Sequence, residues 1–121
     1  PRLDPYLEAA DAGIRARAVD ALSGIEGEEA GRRLARAATA DASEAVRGRA
    51  VLALAGRRGV DSTEVLLQTL ASDPSESVRR AALESLAAEG QVEEVRERLL
   101  EVVSNDPSDA IRSRALATLA R

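Results

Sequence analysis

Apolar positions along this chain fall into one arrangement again and again. Val46, Ala50, Val51 and Leu54 stand at i, i+4, i+5 and i+8, and so do Val78, Ala82, Leu83 and Leu86, and Ile111, Ala115, Leu116 and Leu119. That spacing is the stripe of an α-helix buried along one side. Ile14, Ala18, Val19 and Leu22 repeat it near the start, predicting a helix over 14–23. Between the stripes lie other helical segments. Residues 28–40 offer Leu34, Ala37 and Ala38; the stretch after Asp61 offers Val65, Leu66, Leu67 and Leu70; residues 91–105 offer Val92, Val95, Leu99, Leu100, Val102 and Val103. No segment alternates with period two, so the pattern predicts an all-α protein.

The ends of these segments carry their own signals. Asp41-Ala42-Ser43-Glu44, Asp61-Ser62-Thr63-Glu64 and Asp73-Pro74-Ser75-Glu76 read as capping boxes, and Asp106-Pro107-Ser108-Asp109 as the cap of the last helix. Gly24, Gly56-Arg57-Arg58-Gly59 and Gly90 read as stops. Glu28 with Arg32, Glu29 with Arg33 and Glu94 with Arg98 are i,i+4 pairs. Arg15, Arg47, Arg79 and Arg112 are 32, 32 and 33 residues apart, a period that means stacked repeats. The predicted division is one domain with a partial repeat over 1–25 and full repeats over 26–57, 58–89 and 90–121. Asp4-Pro5 starts a short helix that Asp11-Ala12-Gly13 ends, where a full first helix should stand. It reads as an N-terminal cap or the stump of a longer array.

Asp41/Arg47, Asp73/Arg79 and Asp106/Arg112 share one spacing inside D-x-x-x-x-(V/I)-R-x-x-A, with Leu eight residues after the V/I. This resembles the HEAT repeat, in particular the short-period HEAT-like repeats of the phycobilin lyase type, over residues 14–121. The resemblance implies a right-handed α-solenoid of stacked antiparallel helix pairs, with the second helix of each pair on the concave side. It also implies a ladder of Asp and Arg between neighbouring repeats. The first copy departs from the pattern, since Ala9 stands where the Asp would be.

Composition narrows the chemistry. Tyr6 is the only aromatic residue of 121, and the core must therefore be Ala, Leu, Val and Ile. Every base is Arg, and Cys, His, Lys, Met, Trp and Phe are absent, as in a GC-rich genome or an engineered sequence. General acid–base work would fall to carboxylates or Tyr6, and nothing pairs a nucleophile with a base. Gly56-Arg57-Arg58-Gly59 lacks the pattern of a phosphate loop. Glu93, Glu94, Glu97 and Glu101 share their helix with Arg96 and Arg98 and read as a solvated face, not a metal site. The expectation is a protein that is not an enzyme and carries no cofactor or metal. A net charge of −4 and the lack of stacking aromatics argue against nucleic acid. No signal peptide or membrane-length apolar run appears, which predicts a cytoplasmic protein.

The face opposite the apolar stripe is the candidate site. Positions two, three, six and nine after the V/I point away from the core. They supply Arg17, Arg49, Leu52, Arg80, Glu84, Ser113 and Arg114, with small residues such as Gly48, Ala55 and Ala87 between them. One Arg per repeat and one outward Leu suit a protein-binding groove for an acidic helix or extended peptide. The leading expectation is a non-enzymatic scaffold binding a protein partner there. A bilin lyase subunit, implied by the resemblance, and a HEAT-like nucleic-acid-binding domain are the alternatives. The uncapped last pair, residues 91–121, leaves room for end-to-end association or a longer array.

Overall fold

The structure, a computed structural model, describes residues 3–57, 62–89 and 92–121. In order, the helices are α1 (Asp4–Leu7), α2 (Ala12–Ser23), α3 (Glu28–Ala40), α4 (Glu44–Leu54), α5 (Ser62–Ser72), α6 (Glu76–Ala88), a 3₁₀ turn (Val92–Val95), α7 (Arg96–Asn105) and α8 (Asp109–Leu119). There is no strand among the described residues. Each of α3, α5 and α7 packs against the helix that follows it. Against this outer layer stands an inner one of α2, α4, α6 and α8. Helix α4 is held closely between α2 and α6, whereas α3, α5 and α7 touch one another sparsely. Crowding around α4 against the splayed outer layer curves that part of the stack, with the inner layer concave; α6 and α8 touch more sparsely.

The core is aliphatic and continuous. Leu34, Leu54, Leu66, Leu70, Leu83, Leu99 and Ile111 are its largest fully buried side chains, joined by Val19, Val46, Val51 and Val78. Small Ala38, Ala50, Ala82 and Ala115 lie among them and let the layers approach.

Several local expectations are corrected. The true N-caps are Ser43, Ser75 and Ser108, whose hydroxyls accept from Val46, Val78 and Ile111 N–H at 3.4, 3.4 and 3.3 Å. Asp41, Asp73 and Asp106 sit two residues earlier, each accepting the Ser N–H at 2.9 Å, which frees their other lone pairs. Pro74 and Pro107 therefore precede the helices instead of opening them. Asp11 caps α2 by accepting from Gly13 N–H at 2.7 Å, so Ala12 and Gly13 begin that helix. Leu3 stands at the N-cap of α1; Asp4 lies in its first turn and pairs with Arg33 at 2.6 Å, tying α1 onto α3. The segment 91–105 is not one helix. No side chain caps α7, and its entry tightens into the 3₁₀ turn that buries Val95. Arg98 pairs with Glu64 of α5 at 3.2 Å, not with Glu94. The stops at Arg58-Gly59 and Gly90 and the box opening at Asp61 lie outside the described residues.

Exposure departs from the stripes at both ends. Ile14 is 44% exposed because one-turn α1 is too short to cover it, and Leu116 is 56% exposed with no helix over it. Leu83 and Leu116 hold the same repeat position, yet Leu83 is 0% exposed. Leu83→Ala should therefore cost about 2–5 kcal/mol, the range for buried Leu deletions. Leu116→Ala should cost less than about 1 kcal/mol, as exposed substitutions do. Denaturant melts of the two variants check this, and equal losses would contradict the stacking order.

Candidate functional site

One arginine recurs in the first turn of each inner helix, and three of them do the same thing. Nε and Nη2 of Arg15 donate to Asp41 at 2.9 and 3.1 Å. Those of Arg47 donate to Asp73 at 2.8 and 3.2 Å, and those of Arg79 to Asp106 at 2.9 and 3.2 Å. Each Asp belongs to the repeat that follows. Nη1 turns back to a carbonyl of its own repeat, from Arg15 to Ala9 at 2.8 Å, Arg47 to Asp41 at 2.9 Å and Arg79 to Asp73 at 3.0 Å. Ala9 therefore costs the ladder nothing: Arg15 needs only its carbonyl, and the carboxylate comes from Asp41. Guanidiniums largely shielded from solvent and held on both edges are fixed firmly. Burial pushes the Asp41 carboxyl up, but the Arg15 fork, the Ser43 N–H and the Arg15 and Arg47 charges outweigh it. Asp41 is held below the ordinary carboxylate value.

A second set of rungs crosses the concave face. Arg49 of α4 pairs through Nη1 with Asp20 of α2, and Arg114 of α8 donates from Nε to Glu84 of α6 at 2.6 Å. In repeat register these are one rung, position three of one inner helix against position six of the helix before. Between α4 and α6 the same two positions hold Leu52 and Ala81. The face thus reads charged, apolar, charged. Leu52 is 59% exposed at its centre.

The predicted site residues all lie on this layer. Arg17, Arg49, Leu52, Arg80, Ser113 and Arg114 are exposed and Glu84 is half-buried. Arg80 pairs weakly with Glu76 of its own helix at 3.5 Å. Arg17 makes no ion pair among the described residues, none of which forms an inner helix before α2 to supply position six. Ala87 is buried, not part of the open face; Arg121 reaches over to its carbonyl at 3.4 Å. A single-sequence reading placed the arginines and Glu84 on this face but missed the ion pairs, although Asp20 and Glu84 stand 29 and 30 residues before their partners, close to one repeat period. It also missed a recess of about 510 Å³ beside α1, floored by Leu7, Val19 and Ala37 and ringed by Arg15, Arg33 and Arg36. That recess exists because α1 is one turn long. No helix among the described residues is long and apolar enough to cross a membrane.

The pattern of the family described as HEAT repeats matches residues 31–120, well over half of the chain. None of the curated proteins matches it. Among solved structures, a chain of the complex of CpcE and CpcF of phycocyanin lyase from Nostoc sp. PCC7120 is similar, with a TM-score of 0.77 and 25% sequence identity. The match covers 98% of this chain and 78% of that one. The expectation that the chain is not an enzyme is overturned by this likeness. A phycocyanin lyase is an enzyme, and it is built on this scaffold, so the lack of an internal nucleophile–base pair does not exclude service in catalysis.

Two outcomes follow from the buried ladder. Asp73→Ala strands the Arg47 guanidinium and should cost about 3–5 kcal/mol, whereas Arg112→Ala, at the uncovered end, should cost about 1 kcal/mol or less. Asp41 titrates lower folded than unfolded. Its contribution is complete above the ordinary value of 3.8 and is lost as pH falls through its lower folded value. Unfolding free energy measured against pH should therefore drop below about pH 4, and Asp41→Asn should flatten part of that drop.

Proposed function

Because the chain belongs to the HEAT repeat family, whose repeats act as protein-interaction scaffolds, we propose that it seats a protein partner along its concave inner layer. The observation that carries this is the apolar rung of Leu52 and Ala81 between two ionic ones. Stability alone would favour a third ion pair or a covered side chain; an exposed Leu at the centre of a concave face is a place for a partner's apolar residue. Space above it supports the same reading, since nothing lies within 4 Å of where a β-carbon on Gly48 would sit. The partner is a helix or extended segment with an apolar residue flanked by acidic ones. Arg17 and Arg80 meet its charges first, and Arg49 and Arg114 exchange Asp20 and Glu84 for them, with Ser113 at the rim.

A second reading makes the chain one subunit of a bilin lyase assembly. It is supported by the likeness to phycocyanin lyase across nearly the whole chain. In this reading the protein seated on the inner layer is the one to be modified, and catalysis belongs to the assembly.

Both readings are tested on the full chain with a cross-linked and purified partner, and with a free bilin followed by its absorbance. Leu52→Asp should weaken the protein partner at least tenfold, about 1.4 kcal/mol, and leave the melting curve nearly unchanged. Changing Glu94 and Glu97 of the outer layer should do nothing. If the glutamates matter and Leu52 does not, the partner sits on the outer layer. A change in bilin absorbance that needs the chain selects the lyase reading over a plain scaffold.

A further inference from the structure

The concave rungs leave part of their chemistry unused. Arg49 gives only Nη1 to Asp20, and Arg114 gives only Nε to Glu84. A guanidinium has donors to spare after one such bond. Nε and Nη2 of Arg49, and Nη1 and Nη2 of Arg114, make no hydrogen bond among the described residues. Both side chains are half exposed. Each therefore has an edge that meets an incoming carboxylate before Asp20 or Glu84 gives way. Between these two rungs stand Leu52 and Ala81, whose side chains offer nothing but apolar surface. The three rungs lie between successive inner helices, α2 with α4, α4 with α6 and α6 with α8, so they recur along the stack at the spacing of those helices. Packed helices lie about 8–10 Å axis to axis. The sparser touch of α6 with α8 puts the last interval at the wide end.

We propose that the occupant of this face is one α-helix of the partner, lying along the stack and across the inner helices. It carries an apolar residue over Leu52 and an acidic residue seven places before and seven after. Seven residues of helix rise about 10.5 Å and return to nearly the same face, which matches the interval between rungs. An extended strand fails on geometry. Its same-face residues stand about 6.6 or about 13.2 Å apart, and neither spacing reaches successive rungs. A polyproline II segment has the reach, since three residues rise about 9.3 Å on one face. It fails on hydrogen bonding. Its backbone has no internal bonds, and a groove that takes it has to supply donors and acceptors in place of water. No inner helix carries an Asn or Gln, and Gly48, Leu52 and Ala81 at the centre have no side-chain donor or acceptor. A helix closes its own backbone bonds and loses none of them over an apolar rung. The inference rests on the concave-face reading and names its occupant by conformation, register and charge.

The test uses the full chain and three dye-labelled synthetic peptides, read by fluorescence anisotropy. The first is an Ala-rich peptide of about 22 residues, long enough to be helical in water, with Glu, Leu and Glu seven apart. The second has the same composition with that trio five apart, which turns the acids off the apolar face. The third is a proline-rich peptide in polyproline II form with the trio three apart. The first should bind at least tenfold tighter than either of the others. Leu52→Asp should lower its affinity at least tenfold, and so should Arg49→Ala and Arg114→Ala together, while Glu94→Ala with Glu97→Ala should change nothing. Equal or tighter binding of the proline-rich peptide would overturn the helix in favour of an extended occupant. Equal binding of the two Ala-rich peptides would overturn the register. If no peptide binds but Leu52→Asp still releases the cross-linked protein partner, the helix is overturned and the concave-face reading stands. If Leu52→Asp spares both the first peptide and that partner, the concave-face reading falls with it.

Discussion

Every repeat boundary in this protein is governed by a bidentate Arg–Asp fork. A guanidinium is a rigid plane with donors in fixed directions, and its two edges are used differently here. One holds the carbonyl at the start of its own repeat and the other holds the carboxylate of the next. That fixes the distance and the rotation between successive pairs at once. A buried ion pair is a weak source of net stability, since desolvation offsets much of the attraction. Its contribution here is registry. The aliphatic stripes of Leu, Val and Ala pack without direction and would tolerate sliding, whereas the fork closes at one register only. It tolerates an extra residue in the chain between, as between Arg79 and Asp106, because both ends of the fork are set by helix starts and not by loop length.

The repeated stripe and the Asp–Arg spacing made most of the architecture legible before any coordinates. Val46, Val78 and Ile111 announced three inner helices, and all three are buried as their spacing requires. What stayed hidden depends on neighbours in space. Asp41 reads as an N-cap because Asp is a good cap, but Ser43 is one too and lies nearer the helix, which leaves Asp41 free for Arg15. Ile14 and Leu116 carry the apolar signature of core residues and are exposed, because burial also needs something on the other side. The concave arginines were read correctly as outward. Their pairing with Asp20 and Glu84 was not found, since a one-helix wheel shows what points out but not what stands opposite on the next helix.

The functional conclusion has the same structure. A HEAT-type stack does its work with surfaces, and a surface is informative where it breaks its own rule. The concave ladder breaks at Leu52 and Ala81. That break does not stabilise the isolated chain, and it offers chemistry to something outside it. Likeness to a phycocyanin lyase chain sets this in a family where scaffolds also serve enzymes.

A double-mutant cycle on Arg79 and Asp106 tests the central claim most directly, because it isolates the coupling of the two side chains from what each does alone. Unfolding free energies of the parent, Arg79→Ala, Asp106→Ala and the double variant are compared. The ladder predicts a coupling of about 2 kcal/mol or more, with the double variant little worse than either single one. Additive losses, with coupling near zero, would mean that the aliphatic core alone sets the stack, and would contradict the account.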